Sequence, residues 1–198
     1  MSDEKRRYTK KVRAQLEEET RRRITESAVE LHGTVGPART SFSAVAERAG
    51  VRRSTLYRHF PDEEALFAAC SAHWAERNPP PDPSGWSAIQ DPDARVQQVL
   101  GEIYAYYRRT APMIGNLLRD EATVKSVRER FRTFHDYLAG ARDALVAGRG
   151  LRGHARRRVA AAAGHALAFA TWQSLTVEQG LTDAEAAELM TALVASAG

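Results

Sequence analysis

The sequence predicts an all-α fold, with a small N-terminal unit followed by a larger helical domain. Three observations predict it. Ala, Leu, Glu, Arg and Gln dominate the chain, and these residues lose little on entering a helix. Apolar residues recur at steps of three and four, while alternation with period two is scarce. Gly and Pro fall between the periodic stretches, where they punctuate helices.

Thr20 to His32 carries Ile24, Ala28 and Leu31 on one face, and Gly33 with Gly36-Pro37 ends that helix. The Ser41 hydroxyl can cap a helix from Ser43 to Ala49, which buries Val45 and Ala46 and stops at Gly50. A third helix runs from about Arg53 to Phe60. Asp62, after Pro61, caps a fourth with Leu66, Cys70 and Trp74 inward. The stretch NPPPDPSGWSAIQDPD, residues 78–93, holds five prolines and is read as the domain boundary. Its Trp86 either closes over a pocket mouth or is exposed.

Beyond it, a helix over Ala94 to Arg109 and a short one near Met113 to Leu118 are expected. Val124, Val127, Phe131, Phe134, Leu138, Ala141 and Leu145 then alternate steps of three and four, the seam of a helix packed along others. GRGLRG, residues 148–153, breaks it. A long alanine-rich helix follows, about His154 to Gln179; Gly180 stops it, and Thr182 caps a last helix from Asp183 to Ala195. The resulting organisation is a basic flexible arm (1–19), a helix-turn-helix domain (20–77, with connecting helix 62–77), a Pro-rich loop (78–93) and a helical domain (94–198).

The chain of 198 residues has a net charge of +4, unevenly spread. Residues 1–60 hold 14 Lys/Arg against 8 Asp/Glu, and the remainder 15 against 17. A basic N-terminal third on a nearly neutral body points to a polyanion met at one end. There is no apolar run of about 18 residues for a membrane span and no apolar N-terminal signal, so a cytoplasmic protein is expected. The single cysteine, Cys70, is read as a small buried hydrophobe. The sequence has no H-E-x-x-H, no G-x-S-x-G and no phosphate-binding Gly loop, so neither an enzyme nor a cofactor or metal is predicted. The basic run GRGLRGHARRR is read as solvated surface that could hold a phosphate.

Helix, Gly50-Val51, helix in about 20 residues is the spacing of a DNA-binding helix-turn-helix. Val51, Leu56 and Phe60 form the apolar side that pins the second helix. Arg53, Ser54, Tyr57 and Arg58 share the other side, and arginine there can read guanine in a major groove while hydroxyls take phosphates. The run SFSAVAERAGVRRSTLYRHFPDEEALF resembles the DNA-binding domain of the TetR family of transcriptional regulators: a capped helix, an A-G-V turn, T-L-Y-x-H-F, and a fourth helix with its Leu. The resemblance implies contacts to phosphates or adjacent bases from Thr55, Tyr57 and His59, base reading by Arg53 and an outward Ser43; Ser41, Arg52, Ser54 and Arg58 are further candidates for DNA contact. Two positions depart from it. Arg52 stands where the family commonly has a small cap residue, and Glu63 where it commonly has a lysine after the turn; a carboxylate there suits a helix N-terminus but repels a phosphate. The arm (Lys5, Arg6, Arg7, Lys10, Lys11, Arg13) follows DNA, or is a solubilising tail or helical extension.

The resemblance further implies a C-terminal domain for ligand binding and dimerisation, double-stranded operator DNA as partner, and a small-molecule effector. Candidates to line a pocket for a hydrophobic or aromatic ligand are Tyr104, Tyr107, Met113, Leu117, Phe131, Phe134, His135, Leu138, Phe169 and Trp172. Candidates for a homodimer interface are Ala162, Ala166 and Ala170 with Leu189, Met190 and Leu193. A regulator that is released from DNA by its ligand is the default reading. The alternatives are a helical protein-interaction module with non-specific DNA affinity, or a small-molecule enzyme.

Overall fold

The first helix is longer than its apolar stripe. In the computed structural model, which describes residues 2–198 and side chains from Arg7 onward, α1 runs Ser2–Thr34. Its fully buried apolar residues, Ile24 and Ala28, lie towards its C-terminal end. The exposed part carries ion pairs along its own surface, such as Arg22 with Glu19 and Glu26. The stretch set apart as a flexible arm is therefore helical from Ser2, as the helical-extension alternative has it. The side chains of Lys5 and Arg6 lie outside the described residues.

A single turn, Pro37–Arg39, leads to α2 (Phe42–Arg48), α3 (Arg53–His59) and α4 (Glu63–Arg77). Ser41 and Asp62 accept from Ala44 N and Ala65 N, so both predicted caps form. Ile24, Val45, Leu56, Phe60, Leu66 and Cys70 meet in one apolar core.

The chain divides into two units, and the first cut falls where the Pro-rich loop begins, but a later segment returns to the first unit. Unit 1 holds 1–78 and also 116–128; unit 2 holds 79–115 and 129–198. The second segment joins unit 1 because it satisfies the end of α1. Asn116 Nδ2 donates to the carbonyls of His32 (2.9 Å) and Gly33 (3.0 Å), and Arg119 to that of Val35 (2.9 Å). Asp120 accepts from Ala38 N at 2.9 Å. The approach is close enough that a Cβ on Gly36, which has φ 93°, would collide with Arg119 and Asp120. Val127 completes the apolar core.

In unit 2 the Pro-rich segment is pinned rather than loose. Trp86 is buried, donating from Nε1 to Glu102 (2.8 Å), with its ring 6.1 Å from that of Tyr137; it is neither exposed nor free. The two helices expected over 94–118 are one, α5 (Pro92–Asp120), which runs through Pro112. Pro112 itself is exposed, while Tyr106, Tyr107, Met113 and Ile114 around it are buried. Packing thus holds the helix across a residue that intrinsically breaks it. The three-four seam becomes α6 (Lys125–Val146), burying Phe131, Ala141 and Leu145.

The long alanine-rich helix is not continuous. α7 (Gly153–Leu167) stops at Ala168, whose ψ of 135° is extended, and α8 (Phe169–Gln173) starts at once and passes into a π-turn, Ser174–Glu178. α9 (Asp183–Ser196) opens with a reciprocal capping box between Thr182 and Glu185. Among the described residues no helix is long and apolar enough to cross a membrane.

Candidate nucleic-acid interface

The turn between α2 and α3 is closed by backbone alone. Gly50 N reaches Glu47 O (3.0 Å) and Val51 N reaches Ala46 O (2.9 Å), with Gly50 at φ 62°. Only that left-handed residue lets the chain reverse within so few atoms. Leu56 and Phe60 are then fully buried, which fixes the rotation of α3 about its axis. With those two inward, Arg52, Arg53, Ser54, Tyr57 and Arg58 are exposed, and Thr55 and His59 lie at the margins.

The face is ordered by its own aromatics. Tyr57 is 44 % exposed, yet its ring lies 5.1 Å from that of Phe42, and Arg53 donates to its hydroxyl at 3.3 Å. The Arg53 guanidinium is thereby held over the tyrosine ring, at 5.7 Å from its centroid. Neither Arg53 nor Arg58 has a carboxylate of the described residues within ion-pair distance. Arg48, by contrast, is bound to Glu30 and is not part of this face. Ser43 is exposed on α2, and Ser41 is exposed while its oxygen serves as the cap.

His59 differs from its neighbours. Its Nε2 is covered and meets no partner among the described residues. Burial, then the nearby Arg58 and Arg21, push its pKa below the usual imidazole value, against the opposing pull of Glu17 and Glu18. Sequence reasoning missed Arg21, which donates to the His59 carbonyl at 2.8 Å and lies 4.2 Å over the Phe60 ring. It seats the end of α3 on α1. Its only signal in the sequence was an arginine one turn before Ile24.

The residues matched to a sequence family are those just described. Residues 24–70 match the model of the bacterial regulatory proteins of the tetR family. The chain carries the tetR-family helix-turn-helix domain. No curated protein matches the chain. Several solved structures share its fold. A protein of Clostridium perfringens proposed to regulate fatty acid metabolism superposes with a TM-score of 0.61 at 14% identity, covering 89% of this chain and 98% of its own. A transcriptional regulator of Rhodococcus sp. RHA1 gives 0.59 at 17%, covering 89% and 96%. A proposed tetR-family regulator of Mesorhizobium loti gives 0.59 at 17%, covering 91% and 96%. At these identities the likeness is one of fold, and the all-α architecture of a tetR-type domain followed by a larger helical domain is shared across most of the chain.

The residues expected to line a pocket are only partly together. Tyr107 is the hub of an aromatic cluster, with ring centroids 5.2 Å from Phe169, 5.8 Å from Trp172 and 6.5 Å from Tyr104 and Phe134. Phe131 and Met113 are buried, Leu138 is half-buried, and His135 is exposed against Phe131. Leu117 does not belong with them. It packs on the core of unit 1, because the last turn of α5 is tied to the end of α1.

The dimer candidates also separate. Ala166 and Met190 are buried within unit 2 itself, where α7 and α9 pack on each other. Ala170 lies past the break at Ala168, on α8, so it does not share a helix with half-buried Ala162. Leu189 and Leu193, one turn apart on α9, stay 47 % and 41 % exposed.

Proposed function

We propose that the protein is a sequence-specific transcriptional repressor that binds a palindromic operator as a homodimer and is released by a hydrophobic or aromatic ligand. One observation carries this reading: the exposed face of α3, where Arg53 and Arg58 have no carboxylate partner among the described residues and Tyr57 braces Arg53. In the major groove Arg53 reads a guanine edge; Thr55, Tyr57 and the serines take phosphates. His59 must turn its covered Nε2 outward to do the same.

A single helix-turn-helix holds DNA weakly, and a dimer reads two half-sites. The exposed pair Leu189 and Leu193 supports an interface through α7 and α9. Gly198 lies beside Leu151 and Val159, so these helices run antiparallel. Exposed Arg156, Arg157 and Arg158 crowd one end of the pair, and exposed Glu185 and Glu188 the other. A two-fold axis across the pair sets the basic end of one copy against the acidic end of its partner. The effector fits the aromatic cluster around Tyr107. To empty the operator, it must favour the released conformation by roughly 10⁴-fold, about 5.5 kcal/mol.

The test is fluorescence anisotropy on DNA from the gene's own upstream region against a scrambled duplex, at several salt concentrations. Arg53→Ala should weaken specific binding by about 1–3 kcal/mol and relax base preference. Binding that is equal on both duplexes and steeply salt-dependent would reduce the face to a basic surface. Absence of binding to a genomic fragment pool at low salt would refute the reading.

A further inference from the structure

His59, the last residue of α3, is held firmly at its backbone and left unsatisfied at its ring. Arg21 Nη1 donates to its carbonyl at 2.8 Å, and the same guanidinium lies 4.2 Å over the buried ring of Phe60. The ring Nε2, by contrast, is covered and has no hydrogen-bond partner among the described residues. In a neutral imidazole that nitrogen is either a donor or an acceptor; in the imidazolium both nitrogens are donors. A covered N–H left unpaired costs more on a charged ring than on a neutral one. The covered position therefore suits the neutral ring, and a charged ring has to turn Nε2 outward.

The surrounding charges do not offset that cost. Burial is the largest influence on the ring, Arg58 on α3 and Arg21 on α1 add to it, and Glu17 and Glu18 on α1 oppose them; the pKa lies below the ordinary 6.5. Arg21 is pinned by its contacts with the His59 carbonyl and Phe60, so it does not withdraw from a charged ring. Leu56 and Phe60, both fully buried, hold α3 in place while the side chain turns.

A phosphate reverses each of these effects. It gives the turned-out N–H an acceptor, and its negative charge favours the imidazolium while offsetting Arg58 and Arg21. We propose that His59 is neutral in the free protein and binds a DNA phosphate as the imidazolium, so that each half-site bound takes up a proton. This rests on the DNA-binding reading above and adds a pH dependence to it, because linkage between proton and DNA is reciprocal. Above the pKa of the complex neither state carries the proton, and affinity is level. Below it the complex holds a proton that the free protein lacks, and affinity rises as pH falls until the free ring is charged too.

The test is fluorescence anisotropy of the full-length protein on a duplex from the gene's own upstream region, from about pH 8 to 5.5, with ionic strength held by sodium chloride. Affinity should rise about tenfold per half-site, the low end of what a nearby opposite charge does to a pKa. His59→Gln keeps an N–H donor for the phosphate but does not titrate, and five of the six histidines remain as the baseline. Its affinity should change much less with pH, whatever its value at pH 8. The His59 imidazole resonance, assigned by its loss in that variant, should titrate below 6.5 in the free protein and above it in the complex. A pH slope that His59→Gln leaves unchanged, or an imidazole that titrates alike with and without DNA, would overturn the inference and leave the DNA-binding reading standing. Failure to bind either that duplex or a genomic fragment pool at any pH would overturn both.

Discussion

Tyr107 Oη donates a 2.7 Å hydrogen bond to the carbonyl oxygen of Leu167, and Tyr104 Oη donates one of 2.8 Å to that of Ala166. Both carbonyls lie in the last turn of α7, where an unbroken helix would supply backbone donors from Ala170 N (to Ala166) and Thr171 N (to Leu167). Thr171 Oγ1 takes the carbonyl of His165 at 2.7 Å. Three side-chain hydroxyls thus satisfy three successive carbonyls, and the extended residue Ala168 becomes tolerable. Burial raises the pKa of both phenols, so they remain donors.

Replacing Tyr107 by Phe keeps the ring and orphans the Leu167 carbonyl. Urea unfolding should show a loss of about 1–3 kcal/mol. Tyr104→Phe should cost a similar amount, and the double variant should depart from additivity because the two hydroxyls serve one break. An unchanged midpoint for Tyr107→Phe would mean that the carbonyl finds another donor.

Arg95 is 6 % exposed, and its guanidinium donates to backbone carbonyls. It donates to Ala144 (2.9 Å) and Ala147 (2.8 Å) at the end of α6 and to Ile89 at 2.7 Å. A guanidinium fork spans two helix-end acceptors and the Pro-rich segment at once, in the place where the helix dipole favours a cation. Arg95→Leu should destabilise by about 1–3 kcal/mol, since three part-buried acceptors lose their donor. Arg95→Lys should recover only part of it, because an ammonium lacks the fork. Equal stability of the Lys variant and wild type would show that charge, not geometry, matters here.

What the sequence disclosed follows from how local each cause is. The helix-turn-helix was legible because its caps, its Gly50 turn and its Leu56 and Phe60 stripe all lie within a short stretch, and each restricts the same backbone. α6 was legible from its seam. The break at Ala168 was hidden because alanine favours a continuous helix, and the hydroxyls that stabilise the alternative come from Tyr104 and Tyr107, some 60 residues away. Continuity of α5 through Pro112 was not legible for the same reason: packing overruled propensity. The assignment of 116–128 to unit 1 rests on Asn116, Arg119 and Asp120 meeting the end of α1, polar residues that carry no periodic signal. For the interface, the sequence supplied the exposed residues of α3 but not the covered state of His59 Nε2 or the seat provided by Arg21.

Gly50 tests the turn without touching a contact. No atom lies within 4 Å of where a Cβ would be, so a substitution there meets no clash. What remains is its φ of 62°, which costs a non-glycine residue about 1–2 kcal/mol. Gly50→Ala should lower stability by that amount, and Gly50→Asn by less, since asparagine tolerates the left-handed region. If Gly50→Val proved as mild as Gly50→Asn, the backbone would have to relax out of this conformation.

His32 should make stability fall on the acid side. Burial holds its folded pKa at about 4, below the ordinary value of 6.5, with Asp120 opposing. Above pH 6.5 both folded and unfolded chains carry it neutral, and it imposes no pH dependence. Between 6.5 and about 4 the unfolded chain takes up a proton that the folded chain refuses, so folding stability drops as pH falls and levels off below the folded pKa. The full fall is about 3 kcal/mol. Asp120 extends the decline. Burial works to raise its pKa, but hydrogen bonds from Arg119 and Ala38 N outweigh it and hold the carboxyl below its usual range, so its contribution is lost only at still lower pH. Urea unfolding from pH 7.5 to 4.5 should therefore show a stability that declines below about pH 6.5, and His32→Gln should flatten that decline. Identical slopes for the two proteins would mean that His32 titrates normally in the fold.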